Sequence, residues 1–203
     1  MRYQFYREHK YVSAALNDLE RTIAQADFRN AEKVRQIRDS FEELSEMLRG
    51  HAQYENERLH GLLKLKSSDL CKQIEEDHLE QDGTLVHLAN LLHECLMTID
   101  VAEKITIGHQ LYLSYRKFVA DTLLHLHEEE TIILPELQRL YSDDELRAVE
   151  AATYQQMNPE DMVQMMEVLF PHFNAIDKAA IIDDIRILQP AKIAQVLSAM
   201  PLG

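Results

Sequence analysis

Four stretches of the chain set histidine into an apolar seven-residue rhythm, and in two of them glutamate follows four residues later: His9, His51 with Glu55, His78, and His125 with Glu129. On a helix, residues four apart share a face about 5–6 Å apart, so each H-x-x-x-E pair offers a nitrogen and an oxygen to one point. The spacing along the chain is matched too. The midpoint between His9 and His51 is Asn30, that between His51 and His78 lies near Leu65, and that between His78 and His125 near Val101. Each falls at or beside a candidate turn. If the chain folds back there, antiparallel helices carry all six side chains to one level near one end of a bundle.

The apolar stripes have helical period throughout. Residues 3–27 carry Phe5, His9, Val12, Leu16, Leu19 and Ile23. Residues 30–64 carry Val34, Ile37, Phe41, Leu44, Leu48, His51, Glu55 and Leu62. Residues 69–99, with Ser68 and Asp69 as caps, carry Ile74, His78, Gln81, Leu85, Leu88, Leu92, Cys95 and Ile99. Residues 104–139 carry Leu111, Tyr115, Phe118, Thr122, His125, Glu129 and Ile132. These patterns predict an all-α fold, an up-down-up-down four-helix bundle over 1–141 followed by an extension of short helices over 142–203. In the extension, Ser142 with Glu145 reads as a capping box, Asn158-Pro159 starts a helix, and Pro190 starts a last one. Segments 143–156, 159–170, 175–188 and 190–199 read as amphipathic, with Met157, Met162, Met165 and Met166 clustered among them. Packing of this extension on the bundle or on a second subunit is the favoured reading, and an adaptable docking face for a protein partner is the alternative.

A formal net charge of −14 repels polyphosphate, which argues against nucleic acid and against an anionic membrane surface as partners. No uninterrupted apolar stretch is long enough to span a bilayer, and the opening MRYQFYREHK lacks the apolar segment of a secretory signal, so the expected location is cytoplasmic. Cys71 and Cys95 form no C-x-x-C pair and read as reduced thiols, Cys95 as core.

Imidazole and carboxylate donors together suit first-row metals such as iron, manganese or zinc. Six protein donors would saturate one ion. Shared between two, they leave open positions, which reactivity requires. A lone histidine in a helix is more often a surface or satisfied residue than a ligand, and only the set of six at one depth favours a metal. His60, His87, His93, His109 and His127 fall off the stripes and read as solvated, and His172 lies in the extension. Two Glu-x-x-His pairs, Glu57 with His60 and Glu75 with His78, lie too close in sequence for a ferritin-like site, which needs them on helices separated by another. Asp82, four residues after His78, remains a further ligand or an acid that orients one.

Over residues 5–140 these motifs resemble the hemerythrin-like (HHE cation-binding) domains: His9, HAQYE at 51–55, DHLEQD at 77–82 and, most specifically, HLHEEETIILPEL at 125–137. The stretch LFPHFNAIDKAAIIDDIRILQPAKIAQVL is similar to the helical extension of some bacterial members. The resemblance implies two non-heme irons, with Glu55 and Glu129 bridging and His9, His51, His78 and His125 as terminal ligands. Zinc and manganese suit the same donors. Oxygen-carrying members have a second histidine four residues after the third-helix one, where this chain has Asp82. The implied role is therefore binding of dioxygen, nitric oxide or peroxide in sensing, stress response or iron handling, more than oxygen carriage. A helical interaction protein with a structural metal is the alternative from another class, and a di-iron peroxidase or nitric oxide reductase a third. No flavin or nicotinamide fingerprint supplies an electron source.

Overall fold

A computed structural model describes residues 2–65 and 70–200, the side chains of 70–75 excepted. The chain is all-α, with no strand among the described residues. In order, the helices are α1 (His9–Ala24), α2 (Ala31–Tyr54), α3 (His60–Leu65), α4 (Leu70–Met97), α5 (Val101–Glu128), α6 (Leu134–Leu140), α7 (Asp143–Gln156), α8 (Pro159–Leu169), α9 (Ala175–Leu188) and α10 (Ile193–Ala199). None is long and apolar enough to cross a membrane, among the described residues.

Caps set the helix starts. The Asn30 side chain accepts from the backbone N–H of Glu32 and Lys33, which begins α2 at the position the spacing indicated. Asp100 accepts from Glu103 N–H and starts α5 at Val101, three residues before the stripe alone would place it. Ile99, expected on the α4 stripe, stands in the turn after Met97 and is 95% exposed. The expected caps Ser68 and Asp69 lie outside the described residues.

Two compact units are distinguished, Val12–Glu129 and Met1–Tyr11 with Glu130–Gly203. In the first, α4 packs against both α2 and α5. Arg49 Nε donates to Asp82 Oδ1 at 2.7 Å and Asn56 Oδ1, just after α2, lies 3.2 Å from His78 Nδ1, so helices α2 and α4 run in opposite directions. His78 meets His125 and Cys95 Sγ lies 4.0 Å from the Lys104 carbonyl, so α4 and α5 do the same. Between these helices and α1, Leu16, Ile37, Leu88, Leu92 and Leu111 are fully buried, each contributing about 1.5–3 kcal/mol by leaving water. Tyr115 Oη donates to the Leu16 carbonyl at 3.1 Å inside this core. Gly108 lets the Phe28 ring lie against the α5 backbone, where any Cβ would collide with it.

Two π-turns interrupt the helical period, at Glu55–Leu59 between α2 and α3 and at Glu129–Ile133 between α5 and α6. A π-turn bonds i to i+5 and advances the register by one residue. The buried positions after Glu55 are accordingly Leu59, His60 and Leu63 rather than Leu62, which is half-buried. After Glu129 they are Ile133, Leu134 and Leu137 rather than Ile132, which is 48% exposed. His60, expected on the surface, is therefore a buried residue.

The second unit has its own core. Met162 and Met166 are buried with Tyr154, Phe173, Ile185 and Val196, and Met157 and Met165 pack on them, so the methionine cluster fills an interior. The capping boxes at Ser142 with Glu145 and at Asn158 with Asp161 are both formed. Pro190 lies in the turn before α10 instead of starting it. Buried Asp184 receives both Arg7 Nη1 and Arg147 Nε at 3.1 Å, and Lys192 Nζ donates to the carbonyls of Tyr154, Gln155 and Met157 at the end of α7.

Candidate metal centre

Within Val12–Glu129, one donor atom from each of Glu55, His78, His125 and Glu129 lies within 4.8 Å of the others, and all four residues are buried. His51 makes a second such group with the same two carboxylates. Glu55 and Glu129 thus belong to both groups. His51 Nε2 stands 3.2 Å from Glu55 Oε1, and His125 Nε2 stands 3.2 Å from Glu129 Oε1, so each H-x-x-x-E pair closes on itself as the four-residue spacing requires. Between the pairs sits His78, whose Nε2 is 3.5 Å from Glu55 Oε2, 3.8 Å from Glu129 Oε1 and 2.9 Å from His125 Nε2.

Each glutamate occupies the first position of a π-turn. That placement lets the carboxylate point inward while the apolar stripe resumes one residue later, and π-turns of this kind recur at functional sites.

The outward nitrogens of the imidazoles are also engaged. His78 Nδ1 lies 3.2 Å from Asn56 Oδ1, and His125 Nδ1 lies 3.6 Å from Asp77 Oδ2. At His78 this acceptor directs the Nε2 lone pair into the cluster, the arrangement by which ligand histidines are oriented, whereas Asp77 stands beyond hydrogen-bond reach and acts on His125 through its charge. At His125, burial would by itself lower the pKa. The hydrogen bond to Glu129 and the charges of Glu129 and Asp77 outweigh it, so the imidazole is held above its ordinary value. Asn56 and Asp77 are neighbours of the site that spacing did not single out, and buried His60, weighed only as the partner of Glu57, is a third. An acid immediately before His78 and an amide immediately after Glu55 were the only signals, and neither is visible until the helices face each other.

His9 is buried at the start of α1 in the other unit, where its ring stacks on Tyr6 and its Nδ1 lies 3.0 Å from Glu130 Oε1. Asp82 is exposed and paired with Arg49, away from the donor groups. Glu57 is exposed and accepts from Gln53 Nε2, and the Glu75 side chain lies outside the described residues. His87, His93, His109 and His127 are exposed, as their off-stripe positions predict. Cys95 is fully buried, and burial pushes its thiol pKa up.

The donor set fits a metal. Two carboxylates at 1% and 0% exposure, each costing several kcal/mol to desolvate, stand between His51 on one side and His78 with His125 on the other. Two Nε2 atoms 2.9 Å apart, that of His78 turned inward by the amide oxygen at its Nδ1, suit a cation that takes a lone pair from each. A groove of about 380 Å³ between α4 and α5 reaches His125 past Asp77, and one of about 450 Å³ between α2 and α4 reaches His78 past Asn56. The buried His/Glu groups can hold a metal ion. Compared with protein-family models, curated proteins and solved structures, the chain matches none.

Proposed function

We propose that the chain is a non-heme di-iron protein of the hemerythrin-like kind, an up-down-up-down four-helix bundle over 1–141 with a short-helix extension over 142–203. Glu55 and Glu129 would be shared by the two ions, and His51, His78, His125 and His9 would each serve one of them, His9 on the strength of its place in the sequence spacing. The reading rests on one observation above all: the two buried carboxylates are common to both donor groups, with the His78 and His125 Nε2 atoms facing each other at 2.9 Å. Shared donors are what a pair of ions requires, since a single ion would leave one group idle.

Two ions held in this way supply open coordination positions for dioxygen, nitric oxide or peroxide. The chain's own groups do the rest. Asn56 turns the His78 lone pair inward, Asp77 sets a negative charge beside His125, the two carboxylates balance cationic charge away from water, and the grooves are wide enough for a diatomic ligand or peroxide. The role is sensing, stress response or iron handling in the cytoplasm. With net charge −14, neither nucleic acid nor an anionic membrane is a partner.

Iron per chain, counted after anaerobic loading and desalting, tests the reading, together with the near-ultraviolet spectrum before and after exposure to air. Two irons per chain and a new charge-transfer band are expected. A chain that retains no iron, or retains one with no change in air, overturns the di-iron assignment.

A further inference from the structure

Asn56 and His60 stand outside the six proposed ligands, yet the fold invests in both. His60 is fully buried only because the Glu55–Leu59 π-turn rotates position 60 inward. Its Nδ1 lies 2.9 Å from Asn56 Oδ1, the same oxygen that His78 Nδ1 meets at 3.2 Å. The His60 and His78 rings are stacked, with centroids 5.8 Å apart and planes inclined by 16°. One amide oxygen is thus shared by two parallel imidazoles, one on α3 and one on α4.

A carboxamide oxygen has two lone pairs and no hydrogen, so it accepts from both rings at once, and each ring must then carry its proton on Nδ1. For His78 this leaves the Nε2 lone pair directed at Glu55, Glu129 and His125. With the amide reversed, its N–H₂ would meet both Nδ1 atoms as a donor and force the His78 proton onto Nε2, against an incoming cation. His60 decides between the two settings. By claiming the second lone pair of Asn56 Oδ1, it ties reversal of the amide to a second change, since both imidazoles would have to move their proton from Nδ1 to Nε2 together.

We infer that Asn56 and His60 are a positioning pair that fixes the His78 imidazole as the Nδ1–H form for metal capture, an inference that rests on the metal reading above. The π-turn joins the two roles on one short segment: Glu55 supplies a donor, the next residue orients a donor on another helix, and position 60 secures that residue.

The test is Fe(II) affinity by competition with a chromophoric chelator, in the full chain and in three variants. Asn56→Leu removes the acceptor at similar volume and should weaken binding about ten- to a hundredfold, the range for a lost outer-shell partner. Asn56→Asp keeps an acceptor with no donor and should restore binding to within about threefold of the unaltered chain. His60→Phe keeps the stacked ring but releases the amide and should fall between them. If Asn56→Leu is unfolded by circular dichroism, the other two still decide: an Asn56→Asp chain as weak as a ligand deletion, or a His60→Phe chain as tight as the original, overturns the inference. If the unaltered chain binds Fe(II) and all variants bind it equally, the positioning role fails and the metal reading stands. If the unaltered chain binds none, the metal reading itself fails.

Discussion

The same three helices α2, α4 and α5 build two unlike interiors. Toward one end they meet through Ile37, Leu88, Leu92 and Leu111, all fully buried hydrocarbon. Toward the other they meet through Glu55, His78, His125 and Glu129, equally buried but polar. The heptad register runs through both. A leucine at position 55 or 129 would add about 1.5–3 kcal/mol by burial, whereas a carboxylate there costs several. The difference teaches that the hydrocarbon end holds the fold, and that the polar end costs stability that only a bound cation would offset.

The sharpest way to break this comparison is at Glu129. Glu129→Gln keeps the shape and removes the charge shared by both donor groups. Metal content should fall to roughly half or less, and affinity by at least about a hundredfold, beyond the usual cost of an outer-shell loss. Circular dichroism should still report a helical chain. A Glu129→Gln protein that holds its full complement would remove the carboxylate from the site.

Next in size comes a substitution at the hydrocarbon end. Leu111→Ala opens a cavity in the middle of the core and should cost about 2–5 kcal/mol in denaturant unfolding, while metal per folded chain stays unchanged. Metal loss in this variant, under conditions where the chain is folded, would show that the two ends are not separable.

Acidity sharpens the contrast further, because the two ends answer to it differently. His125 is held above its ordinary pKa: burial opposes this, and the Glu129 hydrogen bond with the Glu129 and Asp77 charges prevails. In the metal-free fold, a raised pKa contributes stability that is fully present at low pH and is lost as pH rises through the folded value. Metal needs the deprotonated imidazole, so affinity runs the other way and should fall by up to about tenfold per unit below that value for the proton displaced. Chelator competition one unit either side of neutrality checks the direction, with proton release on loading as its companion. Affinity that is flat across this range, with no proton released, would mean that His125 is not displaced from its partners.

How far this could be read without coordinates follows from particular residues. The stripes of α2, α4 and α5 are regular, so their cores and the inward placement of Glu55, His78, His125 and Glu129 are legible in them, as are the caps Asn30, Ser142 and Asn158, whose chemistry is local. A fixed period of 3.6 cannot express an inserted residue. Hence the stripe points to Leu62 and Ile132 where the fold buries Leu63 and Ile133, and it puts His60 on the surface where the fold buries it. Asn56 and Asp77 act only across helices, and their places beside Glu55 and His78 are all that marks them in the sequence.

The smallest expected effect tests register against residue type. His93 and His127 lie on α4 and α5, the helices that carry His78 and His125, but on their exposed faces. His127 is only two residues from His125, a rotation of roughly 200° on a helix, which turns it away from the face that bears the donor. If metal binding followed histidine content or loose proximity, replacing either by alanine would lower it. If it follows the inward stripe, both variants should load as the unaltered chain does, and stability should change by no more than about 0.5 kcal/mol. A His127→Ala chain that loses metal while His93→Ala does not would place a donor outside the buried set, and would mean that α5 presents two faces to the site.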